Sequence, residues 1–183
     1  VLGVRIHQEV QIDLHQGDLA SFVSDAFVIP AFTGFSSIGS STSEVEPEII
    51  IDRLQRDDAA PYGQLVVTAA GNLPGSCAVH VSMPPWTKES KQDVLGQKYL
   101  YWDCLQKIGQ LGLRHISFAP LRANNDTRPL SLCAELALQS VREYLDAQQS
   151  GSVKRITFVL PGTDEYQAYR QAMFTYFPEA DQE

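Results

Sequence analysis

The sequence predicts an α/β fold, a three-layer α/β/α sandwich around a mixed central sheet, and two observations carry that prediction. Short runs rich in β-branched and aromatic residues alternate with stretches whose apolar residues recur every three or four positions, the order in which strands and helices layer about one core. The 183 residues, 44% hydrophobic and 20% charged, suffice for one such core, and they contain neither a repeat nor a low-complexity linker. One domain over 1–183 is therefore expected.

The first strand is predicted over 8–15, where Val10, Ile12 and Leu14 alternate with polar neighbours, the period of a half-buried strand. A second follows in D-A-F-V-I-P-A-F (25–32), whose unbroken apolar run suits a strand covered on both faces. Ser43 and Glu46 then resemble a capping box, and Pro47 suits a first helical turn, so a helix burying Ile50, Ile51 and Leu54 is predicted to run to about residue 57. Two short strands, 64–70 and 77–83, flank the turn-forming text G-N-L-P-G-S. Leu95, Tyr99, Trp102, Leu105 and Ile108 mark the longest helix, 92–111. A strand at 115–121, a polar loop at 122–129, a helix at 131–148, a strand at 154–161 and a closing helix at 164–177 complete the order.

Charge and cysteine usage narrow the function classes. A net charge of −8 without a Lys/Arg cluster argues against a DNA or RNA polymer as partner, whereas one small anion needs only a few local donors. No apolar run approaches the roughly 20 residues that cross a membrane, so a soluble, cytoplasmic protein without membrane partners is expected. Cys77, Cys104 and Cys133 are odd in number and each lies among apolar residues, which reads as buried free thiols. The four histidines show no metal-ligand spacing; neither a metal nor another cofactor is expected.

Several stretches, in order, resemble the macro domain family. They are Q-G-D-L-A-S-F-V-S-D-A-F-V (16–28), similar to the family's Gly-Asp-Ile-Thr turn and following strand; G-Q-L-V-V-T-A-A-G-N-L-P-G-S-C-A-V-H-V-S-M-P-P-W (63–86); and I-T-F-V-L-P-G-T-D-E-Y-Q-A-Y (156–169), similar to its last strand and helix. The resemblance implies binding of ADP-ribose or a related adenine nucleotide, free or on an ADP-ribosylated protein. It places Asp18 on the adenine amino group, with the amide of Leu19 beside it. Read from the residue alone, Asp18 equally suits a turn or helix cap.

The other loops depart from the family pattern. A family strand end close to V-N-A-A-N, whose last Asn meets the distal ribose and supports hydrolysis in active members, is replaced by V-I-P-A-F, so Ile29 and Phe32 stand where amides are expected. Hydrolysis by the family route is accordingly not expected, and no evident general base stands near Ser36, Ser37 or Asn124 to substitute. The first phosphate loop, T-G-F-S-S-I-G-S (33–40), keeps Gly34 and Gly39 around Ser36, Ser37 and Ile38, with Ala31 and Phe32 leading in; Glu44, Glu46 and Glu48 downstream compete for the positive end of the next helix. The second, P-L-R-A-N-N-D-T-R-P (120–129), lacks the family's glycines but offers Leu121, Arg122, Asn124 and Asn125, with Arg122 as a charged donor. Pro161 follows the last strand where the family often places an aromatic on the adenine.

Three functions are weighed: a nucleotide-binding module, an ADP-ribosyl hydrolase acting through substitute groups, and a protein-interaction or scaffold domain whose cleft is filled around Phe32. A resemblance to the non-catalytic N-terminal domain of leucine aminopeptidases favours the third, but 63–86 fits macro domains better. Asp18, Gly34 and Gly39 surviving together favour the first.

Overall fold

A computed structural model describes residues 3–35, 65–70, 73–82, 91–121, 129–147 and 151–178. The strands are β1 (Val4–His7), β2 (Val10–Gln16), β3 (Ala26–Phe35), β4 (Leu65–Ala69), β5 (Cys77–Ser82), β6 (His115–Phe118) and β7 (Arg155–Leu160), and the α-helices are α1 (Lys91–Gln110), α2 (Leu130–Ala147) and α3 (Thr163–Tyr176). Among the described residues the strands form one mixed seven-stranded sheet in the order β1-β2-β7-β6-β3-β5-β4. The five inner strands run parallel, and the two edges are antiparallel to their neighbours. The mixed α/β prediction is borne out. The predicted helix to residue 57, with its capping box, lies outside the described residues.

Pleating divides the strand side chains between two faces. Val10 and Ile12, Ala26 and Val28, Val79 and Val81, Ile116 and Phe118, and Ile156, Phe158 and Leu160 join Leu100, Tyr101, Leu105, Leu138, Val141, Tyr169 and Met173 in the main core under α1, α2 and α3. The helices pack side by side, α1 on α2 and α2 on α3. Leu113, past the end of α1, also packs on this core. Gly112 supplies the left-handed turn there, with φ +75°, while the Leu113 amide bonds the Ile108 carbonyl and the Gly112 amide that of Gly109, the Schellman arrangement. On the opposite face Phe27, Ile29 and Ala78 meet Ala70, Leu73 and Leu19 in a smaller apolar cluster. No helix of the described residues is long and apolar enough to cross a membrane.

Three predicted boundaries change. The strand predicted from residue 8 starts at Val10, because Gln8 and Glu9 form a two-residue hairpin turn with φ of 48° and 67°, joining β2 to β1, which sequence patterning did not predict. Asp146 holds that turn, accepting from Gln8 Nε2 at 2.9 Å and lying 2.7 Å from His7 Nε2. The strand predicted to end at Phe32 continues to Phe35, so Thr33 and Gly34 belong to β3 rather than to a loop. The strand predicted through Leu121 ends at Phe118. The three cysteines are free and buried, as expected.

Candidate functional site

In open α/β sheets ligands bind outside the carboxyl ends of the strands, where neighbouring connections run in opposite directions. The chain leaving β3 goes on to β4 and β5 on one side, and the chain leaving β6 goes on to β7 on the other, although β3 and β6 are adjacent. The exits of β2, β7, β6 and β3 all open at this end, because these strands are parallel. They carry Asp18, Pro161, Leu121 and the Ala31–Phe35 part of β3, respectively. The topology thus gathers every described segment singled out in the sequence at one end of the sheet.

Asp18 is exposed at the start of a short 3-10 turn, Leu19–Ser21, and its Oδ1 accepts from the Ala20 amide at 3.2 Å. The capping reading of Asp18 holds here, and a carboxylate has more acceptor sites than this one bond uses. The turn is anchored from both sides. Gly17 N donates to the Leu160 carbonyl at 2.9 Å, and Gln16 Nε2 donates to Thr163 Oγ1 at 3.2 Å, tying the end of β2 to the exit of β7 and the start of α3. Leu19, half-buried, packs against the smaller apolar cluster.

Below the turn Phe22 is wedged between rings, 4.7 Å from His15 and 5.7 Å from His115, with the Arg155 guanidinium 5.8 Å from its centre. A polar ladder, buried at Asp13 and Thr157, lies beneath. Asp13 accepts from Arg155 Nε and Nη2 at 3.0 and 2.7 Å, from Gln11 Nε2 at 3.1 Å and from the Thr157 hydroxyl, which lies 2.8 Å from His115 Nε2. Since the Thr157 proton points to Asp13, His115 Nε2 carries the hydrogen that reaches Thr157. Burial foremost, then the Arg155 charge, lowers the His115 pKa, against the opposing pull of Asp13 and Asp25. Burial lowers that of His80 as well.

At the exit of β6 the Ala119 amide bonds the Val28 carbonyl at 3.0 Å. Leu121 is 1% exposed in the main core, so it offers a loop start rather than a ligand-facing side chain. Its carbonyl accepts from Gln97 Nε2 of α1 at 3.1 Å. Pro161 is exposed. Ala31, Phe32 and Gly34 are placed by their backbone in β3, with Ala31 opposite Ser82. Ser36, Ser37, Ile38 and Gly39 of the first loop and Arg122, Asn124 and Asn125 of the second lie outside the described residues. Ile29, in the place of a family amide, is buried in the smaller apolar cluster. Tyr169 is buried in the main core, as its spacing from Tyr166 suggests.

The macro domain family model matches residues 43–137, just over half of the chain. The chain belongs to the macro domain family. A macro domain-containing protein of Listeria monocytogenes is 24% identical over 169 residues, 88% of this chain and 96% of the relative. O-acetyl-ADP-ribose deacetylase 2 of Pantoea vagans is 21% identical over 166 residues, 87% of this chain and 96% of that protein. Among solved structures, the Oceanobacillus iheyensis macrodomain with ADP is similar at a TM-score of 0.72 and 17% identity, covering 94% of each chain. At that identity the structural likeness speaks for the fold.

Sequence patterning missed the Asp13 ladder and Gln97. The ladder's only trace was polar letters at alternate positions in H-I-S-F and R-I-T-F-V-L, strands otherwise wholly apolar. Gln97 left none, since a single glutamine in a helix carries no pattern.

Proposed function

We propose that this macro domain binds ADP-ribose or a related adenine nucleotide, free or attached to a protein, and does not hydrolyse it by the family route. The observation that carries the reading is Asp18, an exposed carboxylate held at the exit of β2, beside the exit of β7. It suits an exocyclic amine, a donor that adenine supplies. The resemblance of the flanking text supports this assignment. So do the name of the Pantoea vagans relative and the presence of ADP in the Oceanobacillus iheyensis structure. Against hydrolysis stand Phe32 in place of the strand-end amide and Ile29 buried among apolar side chains, where neither offers a hydrogen bond to a ribose or a water. Three buried free thiols favour a reducing compartment such as the cytoplasm.

Titration calorimetry with ADP-ribose, and with AMP as comparison, tests the reading. Micromolar binding of ADP-ribose, tighter than of AMP, is expected, and Asp18→Ala should weaken both about tenfold, the effect of losing one hydrogen bond to a charged group. Unchanged affinity in that variant removes Asp18 from the base. No heat from either ligand overturns nucleotide binding and turns the search to protein partners.

A further inference from the structure

Helix α3 turns Tyr169, Ala172 and Met173 into the main core and leaves Arg170 and Phe174, one turn apart, on the stripe beside β1. Phe174 is 41% exposed, and two guanidinium carbons lie near its ring centre, that of Arg5 at 5.4 Å and that of Arg170 at 5.8 Å. Arg5 is pinned there, its Nε donating to the Phe177 carbonyl at 2.9 Å and its Nη1 to the Val4 carbonyl at 2.8 Å. Arg170 differs from Arg142 and Arg155, which hold Asp146 and Asp13: among the described residues it makes no ion pair, and its buried Nε has no hydrogen-bond partner. The acids of α3, Asp164 and Glu165, sit in its first turn, and β1 has none. The sheet edge alongside is open. His7 and Val10 flank the two-residue turn, and the Gly3 carbonyl accepts from the Leu14 amide, so Gly3, Arg5 and His7 direct their backbone groups to β2, while Val4 and Ile6 direct theirs outward. Arg5 covers the Val4 carbonyl, which leaves the Val4 amide and both groups of Ile6 for a further strand. The Ile6 side chain, 76% exposed, lies on the sheet face opposite to that of Arg5.

We propose that this edge is a docking site for an extended acidic segment of a partner protein, which adds as a strand beside β1 with its acidic residues on the α3 side, toward Arg170, and its apolar residues on the Ile6 side. Alternation of the two residue types at every second position follows from the pleat. Charge selects this occupant over a second copy of the chain. Two β1 edges paired about a two-fold axis perpendicular to the sheet would bring Arg5, Arg170 and Phe174 of both copies to one face, with no carboxylate from β1 or from the later turns of α3 to separate the guanidinium groups. The surface shares no residue with the nucleotide site and does not depend on that reading.

The probe is an acetylated, amidated hexapeptide alternating valine and glutamate, with the valine–lysine hexapeptide as control. In amide NMR spectra of the whole chain the glutamate peptide should shift Val4, Ile6 and their neighbours, less so as salt is added, and the lysine peptide should shift nothing. Arg170→Gln, at a half-buried site with no ion pair to lose among the described residues, should weaken binding about tenfold, the effect of one hydrogen bond to a charged group. Ile6→Pro removes an outward amide and spares the bonds to β2, and it should weaken binding by as much; unchanged dispersion of the core amides shows that a variant is folded. No shift at β1 with the glutamate peptide, equal shifts with the lysine peptide, or wild-type binding by folded Arg170→Gln each overturns the proposal. Concentration-dependent sedimentation of the chain alone, lost in Arg170→Gln or Ile6→Pro, overturns it as well, because a second copy then occupies the edge.

Discussion

Replacing Asp13 with alanine tests whether the ladder beneath the Asp18 turn is held by its carboxylate. The Asp13 side chain is 8% exposed and that of Arg155 41% exposed. Breaking a fully buried ion pair costs about 3–5 kcal/mol, but Arg155 can turn to water, so its share shrinks toward the ~0–1 kcal/mol of exposed pairs. Thr157 is fully buried and cannot turn to water, and a hydroxyl left without its acceptor costs about 1–3 kcal/mol, the low end applying where the His115 ring changes tautomer to accept from it. Together these give about 1–4 kcal/mol, centred between 2 and 3, and for a chain of this size each kcal/mol lowers Tm by about 2–4 °C. Asp13→Ala should therefore melt about 5–10 °C below wild type by circular dichroism or calorimetry. Asp13→Asn, which keeps an acceptor for Thr157, should lose about half as much. A Tm for Asp13→Ala within about 2 °C of wild type would refute the argument, since that shift is below a single kcal/mol.

Further expectations concern packing, pH and chemistry. Gly75→Ala places a Cβ 2.2 Å from the Ser24 carbonyl oxygen and 2.6 Å from Phe27 Cε2, so it should cost about 1–3 kcal/mol in a denaturation curve, as overpacking does. His115 and His80 are held neutral in the fold, with pKa values below the ordinary 6.5, whereas the unfolded chain protonates near 6.5. Their contribution is complete above that pH and is lost as pH falls below it; the urea midpoint should drop from pH 7.5 to 5.5, and a His115→Gln variant should show a shallower drop. Phe32→Asn alone should not release ADP-ribose from an ADP-ribosylated protein, because Ile29 stays in its apolar cluster; measurable release in a chromatographic assay overturns this.

The elements legible in the sequence were those whose burial imposes a period. Helix α2 and strand β7 lie within two residues of their predicted limits, because each presents a continuous apolar face to the same core. Strand β1 was not legible, since its hairpin turn uses Gln8 and Glu9 in left-handed backbone rather than Gly or Asn, and it holds through contacts with Asp146, far away in the chain. The extension of β3 past Phe32 was obscured by Thr33 and Gly34, which read as loop letters. Within the site, Asp18 was found by the text around it. Gln97 and the ladder were not, because a buried polar contact is defined by which strands and helices become neighbours, and that order, β2 beside β7 beside β6, is a property of the sheet rather than of any local stretch.

That strand order also has a consequence during synthesis. Strand β7 lies between β2 and β6, with Ile156 opposite both Ile12 and Ile116. Until residues 155–160 leave the ribosome, the hairpin formed early from β1 and β2 has no connection to the rest of the sheet, and β2 and β6 each present an open parallel edge. Such edges recruit other chains. A chain without β7 thus leaves both of these edges unpaired, and β7 is the last in chain order of the described strands.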